Sequence, residues 1–232
     1  MTLLSVENLK KYYYRGIFYK KEIRAVDGVD FEINKGRTLG LVGSSGCGKT
    51  TVARTILRLI EPTEGRIVFE KKDITKLTSR GLKSLGCEMQ IIFQNPESSL
   101  NPRMKIYDAI LEPLRIHKLC SADEEKEKIL KLIEIVNLNE ELLFRYPHEL
   151  SGGQLQRVVI ARVLSLNPKF IVADEATSML DPLVQAQILN LLKDLQEKFG
   201  ISYLFISHDM DVVEWMCDEI AIMDKGKIVN WK

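Results

Sequence analysis

"GSSGCGKTT", residues 43–51, is the stretch on which the fold turns. A short apolar run, "TLGLV" (38–42), precedes it, and "KTTVARTILRLIEP" (49–62) follows with apolar residues at helical spacing. The pattern G-x-x-x-x-G-K-[ST] between a strand and a helix is a phosphate cradle, because backbone N–H groups and the helix dipole converge on an anion. Gly43, Gly46 and Gly48 let the backbone curl. The N–H groups of Gly43, Ser44, Ser45, Gly46, Cys47 and Gly48 are thereby candidates for a bound polyphosphate. Lys49 is placed to reach the β- and γ-phosphates, the Thr50 hydroxyl to ligate Mg²⁺, and Thr51 to donate to a nearer phosphate. A glycine-rich turn meeting the pattern by chance would not need the strand and helix that flank this one.

A magnesium ion held by one hydroxyl wants a carboxylate nearby. "FIVADE" (170–175) supplies two at the end of a buried apolar strand, where open parallel sheets bind ligands. Asp174 is the candidate for the metal, and Glu175 for orienting and deprotonating an attacking water. Acidic residues at a strand end are often only solvated loop starts; the phosphate loop earlier in the chain favours chemistry here. "LSGGQLQR" (150–157) is a second anion-friendly helix start. A plain helix cap explains Ser151 but not Gly152 and Gly153, which are poor helix formers.

The remainder predicts an α/β frame. The 232 residues, 45% of them apolar, suit a single domain over 1–232. Lys plus Arg number 33 against 32 Asp plus Glu, so bulk charge gives no reason to expect nucleic acid as a partner. Cys47, Cys87, Cys120 and Cys217 stand at no metal-ligand spacing and read as reduced thiols. The longest apolar runs are about four residues, far short of the ~20 that span a bilayer. "LLSVENL", "RAVDGVDFEI", "GRIVFEKKDI" and "CEMQIIFQ" (87–94) have strand character, and Val52, Ile56, Leu59 and Ile60 share a helix face ending before Pro62. From about 95 to 160 the chain turns polar and helix-rich, which predicts an inserted helical subdomain. Within it, Ser121 and Glu124 form a capping box, and Ile129, Leu132, Ile133 and Val136 line one helix face. Asp181 and Pro182 open a helix that Gly200 closes; a strand "ISYLFISH", a short helix "DMDVVEWMC" and a hairpin "EIAIMDKGKIVNW" follow. Alternating strands and helices argue a mostly parallel sheet covered on both faces.

With five elements in this order, the chain resembles the ATP-binding cassette (ABC) ATPases over nearly its whole length. To the phosphate loop and "FIVADE" are added the signature "LSGGQ", Gln94 in "IIFQNP" at the Q-loop, "SMLD" (178–181) at the D-loop, and His208 in "LFISHD" at the switch histidine. The resemblance implies a P-loop NTPase of ABC type, with an antiparallel β-subdomain and an inserted helical subdomain. It implies ATP hydrolysis with Mg²⁺, Glu175, His208 and Gln94 serving catalysis, and Thr50, Gln94 and Asp174 serving the metal. Two cassettes then meet head to tail. Ser151, Gly152, Gly153 and Gln154 of one, with Asp181, close over the ATP held by the other's phosphate loop. Of the tyrosines in "KKYYYRG" (10–16), Tyr13 stands where the family has its adenine-stacking aromatic; alternation along a strand points only one set of the three at a ligand.

Within the family, "ESSLNPRM" (97–104), "AVDGVDFEI" and the insert "RGIFYKKEI" (15–23) resemble the oligopeptide, dipeptide and nickel importer branch. That branch typically continues beyond the last strand, whereas this sequence ends at Lys232. The resemblance implies a motor on the cytoplasmic face of the membrane. Its partners are a second ABC subunit, identical or related, permease subunits, and indirectly a substrate-binding protein. Ile106, Leu111 and Leu114 either line a groove for a permease helix or belong to the core. Met179, where the branch usually has a small residue, is expected to adapt to its neighbours' packing. The alternative is a soluble ABC ATPase of DNA repair or the ribosome; the chain has neither the long heptad run nor the second cassette such proteins usually carry.

Overall fold

The computed structural model describes residues 1–15 and 21–232. The middle of the insert, 16–20, lies outside the described residues. Two long antiparallel strands open the chain, β1 (Thr2–Arg15) and β2 (Lys21–Asn34). The phosphate loop joins β3 (Thr38–Val42) to α1 (Lys49–Ile56). Then come β4 (Glu64–Phe69), β5 (Lys72–Asp73), α2 (Ser79–Glu88) and β6 (Met89–Ile92). Three helices follow in the predicted helical stretch: α3 (Ile106–Ile116), α4 (Glu125–Ile135) and α5 (Gly152–Leu164). The chain closes with β7 (Phe170–Asp174), α6 (Pro182–Phe199), β8 (Ser202–Ile206), α7 (Met210–Met216) and the hairpin β9 (Glu219–Asp224) and β10 (Lys227–Trp231).

The strands sort into two sheets. An antiparallel sheet has the order β2-β1-β4-β5, and a second, six-stranded sheet the order β10-β9-β3-β8-β7-β6. In the latter all neighbours are parallel except β10, which pairs antiparallel with β9. Alternation decides what each face meets. Phe170, Val172, Leu204 and Ile206 turn toward α1 and the antiparallel sheet; Ile171, Ala173, Tyr203 and Phe205 turn toward the helices α3, α5 and α6. All eight are buried, so the sheet is covered on both sides.

Several local expectations change. α1 stops at Ile56, and Leu59 is 59% exposed instead of sharing the buried face of Val52 and Ile56. The cause is a Schellman stop. Arg58 adopts φ +57°, its N–H donates to the Thr55 carbonyl at 3.0 Å, and the Leu59 N–H to that of Arg54 at 2.9 Å. Arginine occupies the left-handed position usually taken by glycine, and its buried Nε donates to the Ile74 carbonyl at 3.2 Å. The capping box at Ser121 is half formed: the Glu124 carboxylate accepts from both the Ser121 N–H (2.8 Å) and hydroxyl (3.0 Å), but the helix begins only at Glu125, with Glu124 itself at the N-cap. Ile106, Leu111 and Leu114 are core residues, at most 3% exposed, and offer nothing to a partner. Met179 is 63% exposed, so no packing absorbs it.

Arg115 ties α3 to Glu125 of α4, Arg157 ties α5 to the Val136 carbonyl, and Arg162 reaches furthest back along the chain. The Arg162 guanidinium, near the end of α5, donates to the Ser99 carbonyl at 2.6 Å and to the Glu112 carboxylate of α3 at 2.7 Å.

Candidate functional site

Four neighbouring strands, in the spatial order β3-β8-β7-β6, run parallel and end at one edge. The phosphate loop follows β3, His208 lies just beyond β8, Asp174 ends β7 with Glu175 next, and Gln94 lies just beyond β6. Residues more than a hundred positions apart therefore converge because parallel strands share a carboxyl edge.

At that edge an open cleft of about 740 Å³ is lined by Ser45, Gly46, Gly48, Lys49, Thr50 and Thr51 on one side, and by Gln94, Asp174 and Glu175 on the other. Gly48 is the N-cap of α1 at φ +114°, and a Cβ there would lie 2.2 Å from the Ala25 carbonyl oxygen. Lys49 is buried and folded back, its Nζ donating to the carbonyls of Gly43 (2.6 Å) and Ser44 (3.0 Å). Gly43, Ser44 and Cys47 do not line the cleft. The Cys47 side chain, only 6% exposed, packs inward, so only its backbone is left to serve a ligand.

The Thr50 hydroxyl donates to Asp174 Oδ1 at 3.3 Å. Burial pushes the Asp174 carboxyl above the usual carboxylate range; the Thr50 bond offsets this in part and the neighbouring Glu175 charge adds to it. A buried carboxylate poorly compensated by its neighbours, beside a hydroxyl, is a donor set suited to a hard divalent cation. Glu175 sits in the left-handed region at φ +51°, its N–H donating to the Ile206 carbonyl at 2.9 Å. Gln94 Nε2 donates to Glu175 Oε2 at 3.0 Å and to Ser178 Oγ at 3.1 Å; Ser178 Oγ donates to the Glu175 carbonyl at 3.0 Å. His208 Nδ1 lies 3.6 Å from Glu175 Oε1. Gln94 and Glu175 line the cleft, and His208 stands beside Glu175 outside the lining, so the three form one cluster at its edge. Nothing in the sequence singled out Ser178, although it lies in "SMLD", or Arg54, whose charge reaches Asp174 from α1 and which also lines the cleft.

The remaining candidates lie outside the cleft lining. Ser151 caps α5 reciprocally: its Oγ accepts from the Gln154 N–H at 3.3 Å, and its own N–H donates to Gln154 Oε1 at 2.9 Å. Gly153 is required by packing, since a Cβ would meet Val184 Cγ1 at 2.5 Å; Gly152 is not, its nearest contact being Leu180 at 3.5 Å. Asp181 caps α6, accepting from the Val184 N–H at 3.0 Å. On β1 the hydroxyls of Tyr12 and Tyr14 bond to Asp27 and Glu22, while Tyr13 is 42% exposed with Lys11 Nζ 5.1 Å from its ring centroid.

A phosphate loop after a buried parallel strand, a threonine hydroxyl on a buried aspartate and a glutamate beside it define the class: an ATP-binding and ATP-hydrolysing P-loop protein. The family model described as "ABC transporter" matches residues 26–178. The oligopeptide transport ATP-binding protein AppF of Bacillus subtilis is 47% identical over 99% of this chain and 71% of its own length. The dipeptide transport ATP-binding protein DppF of Haemophilus influenzae is 46% identical over 98% and 71%. A dimeric structure of the ATP-binding cassette MJ0796, in a post-hydrolysis state bound to ADP and Pi, superposes with a TM-score of 0.88 at 29% identity, covering 99% of this chain and 98% of that one. The chain belongs to the ABC transporter family.

Proposed function

We propose that this chain is the ATP-hydrolysing subunit of a peptide importer, working as one of two cassettes beneath membrane permease subunits. The observation that carries the chemistry is the Gln94–Glu175–His208 cluster at the mouth of the phosphate loop. ATP phosphates are received by the loop N–H groups of residues 43–48 and by Lys49, which exchanges its present carbonyl partners for phosphate oxygens. Thr51 donates to a nearer phosphate, and Tyr13, the one of the three β1 tyrosines whose hydroxyl has no partner among the described residues, stacks on adenine. Thr50, Asp174 and Gln94 hold Mg²⁺, which supplies charge neutralisation across the phosphates when bound. Glu175 orients a water and accepts its proton as the oxygen attacks the γ-phosphorus. The bond from that phosphorus to the bridging oxygen breaks, and ADP leaves. His208 donates to the γ-phosphate.

A second cassette completes the chamber with its own Ser151, Gly152, Gly153, Gln154 and Asp181. Gly152 supports this reading: neither its backbone angles nor its neighbours within the chain demand glycine, whereas close approach of a phosphate does. The peptide cargo rests on what the relatives are named for, and those names favour transport over a soluble repair or ribosomal role. Among the described residues no helix is long and apolar enough to cross a membrane, which suits peripheral attachment to permease subunits at the cytoplasmic face. Co-purification from native membranes tests the assignment: permease subunits and a second cassette are expected with the chain, and their absence together with capture on ribosomes or DNA would refute it.

A further inference from the structure

The phosphate loop is braced from outside the nucleotide cleft. Between β9 and β10 the turn at Gly226 spends both of its backbone polar groups on this brace. The Gly226 N–H donates to the Cys47 carbonyl at 2.9 Å, and the Gly226 carbonyl accepts from the Asp27 N–H of β2 at 2.8 Å. Gly226 stands at φ +83°, and a Cβ there would lie 3.0 Å from the Arg24 carbonyl oxygen and 3.2 Å from that of Ala25. Ala25 bears in turn on Gly48, as described above. Side chains close the clasp: the Asp27 carboxylate accepts the Tyr12 hydroxyl and lies 3.4 Å from Lys227 Nζ.

The brace has a direction. In a planar trans peptide the C=O of one residue and the N–H of the next point opposite ways. Holding the Cys47 carbonyl back toward the hairpin therefore fixes the plane of the 47–48 peptide and aims the Gly48 N–H away from the hairpin. Gly48 lines the cleft. We infer that Gly226 is a positioning residue for phosphate binding: its approach to β2 and its bond to Cys47 hold the crown of the loop with its N–H groups presented to the nucleotide. This rests on the ATP-binding reading of the cleft given above.

Gly226→Ala adds a methyl group that strains the left-handed turn and presses it a few tenths of an ångström away from β2, pulling on its bond to the Cys47 carbonyl. The Kd for ATP, measured by calorimetry on the whole chain, is expected to rise about tenfold, the effect of losing one well-placed phosphate contact. Gly226→Asn tolerates the left-handed backbone but keeps the added Cβ, so it is expected to fold and to show the same rise even if the alanine variant does not fold. Gly200→Ala is the control, at φ +67° with no atom near its Cβ and closing α6 instead of the loop. It should lower Tm and leave Kd unchanged. A folded Gly226 variant binding ATP as tightly as wild type, or Gly200→Ala weakening binding equally, overturns the inference. A wild-type chain that binds no ATP, or a Lys49→Ala variant that binds as well as wild type, overturns instead the reading on which it rests.

Discussion

Glycine at position 175 is expected to give a more stable protein than alanine there, the reverse of the usual order. Glu175 holds φ +51°. An L-residue in that region carries ~1–2 kcal/mol of steric cost, which alanine keeps and glycine sheds. Glycine adds ~0.4–1 kcal/mol of freedom to the unfolded chain. The difference leaves glycine ahead by about 0.5–1 kcal/mol. Both variants lose the same bond from Gln94, so that loss cancels. For a chain of 232 residues, where 1 kcal/mol moves Tm by roughly 2–4 °C, the glycine variant should melt about 2 °C above the alanine variant. Calorimetry of the two, without nucleotide in one buffer, is the assay, and both should have lost hydrolysis. An alanine variant melting at or above the glycine variant would refute the idea that strain is stored at this carboxylate.

Glu175→Gln keeps shape and removes the base, so ATP binding should persist while kcat falls ~10²–10⁴-fold in single-turnover hydrolysis; size-exclusion chromatography with ATP should show a stabilised dimer. Cys47 is buried beside Lys49, so native-state maleimide labelling should reach Cys87 and Cys120 first and Cys47 only on unfolding, read by mass spectrometry. Glu70 accepts bonds from Lys169 and Lys35, which hold its carboxyl at about 2, below the ordinary 4.5. A depressed pKa gives stability that is present above the unfolded value and lost as pH falls through the folded one. Glu70→Gln should therefore lose less stability than wild type between pH 4.5 and pH 2, measured by urea titration.

The parts of the site that were legible in the sequence are those whose chemistry is local. The phosphate loop, the acidic strand end and the serine cap of α5 are each written in fewer than ten consecutive residues, and the structure places each at its expected element end. What sequence hid was set by distant contacts. α2 escaped because "SRGLKSLGCE" carries two glycines and a short apolar stripe, and it is anchored by Leu85, buried in the core, with Leu82 packed beside it. The early stop of α1 was invisible because its left-handed residue is arginine, anchored by a carbonyl sixteen positions on. Ser178 gains its place because β6 and β7 lie side by side, and Arg54 gains its place because α1 packs against β7. The role of Ile106, Leu111 and Leu114 could not be read from periodicity, since a groove and a core use the same side chains.

Arg162 gives the fold a form of gearing. α5 is a rod of thirteen residues, ~20 Å long, with Ser151 at one tip and Arg162 near the other. That far end is pinned to the Ser99 carbonyl, only five positions past Gln94. The helix is stiff along its length, so its Ser151 end and the stretch leading back to Gln94 are mechanically joined through Arg162.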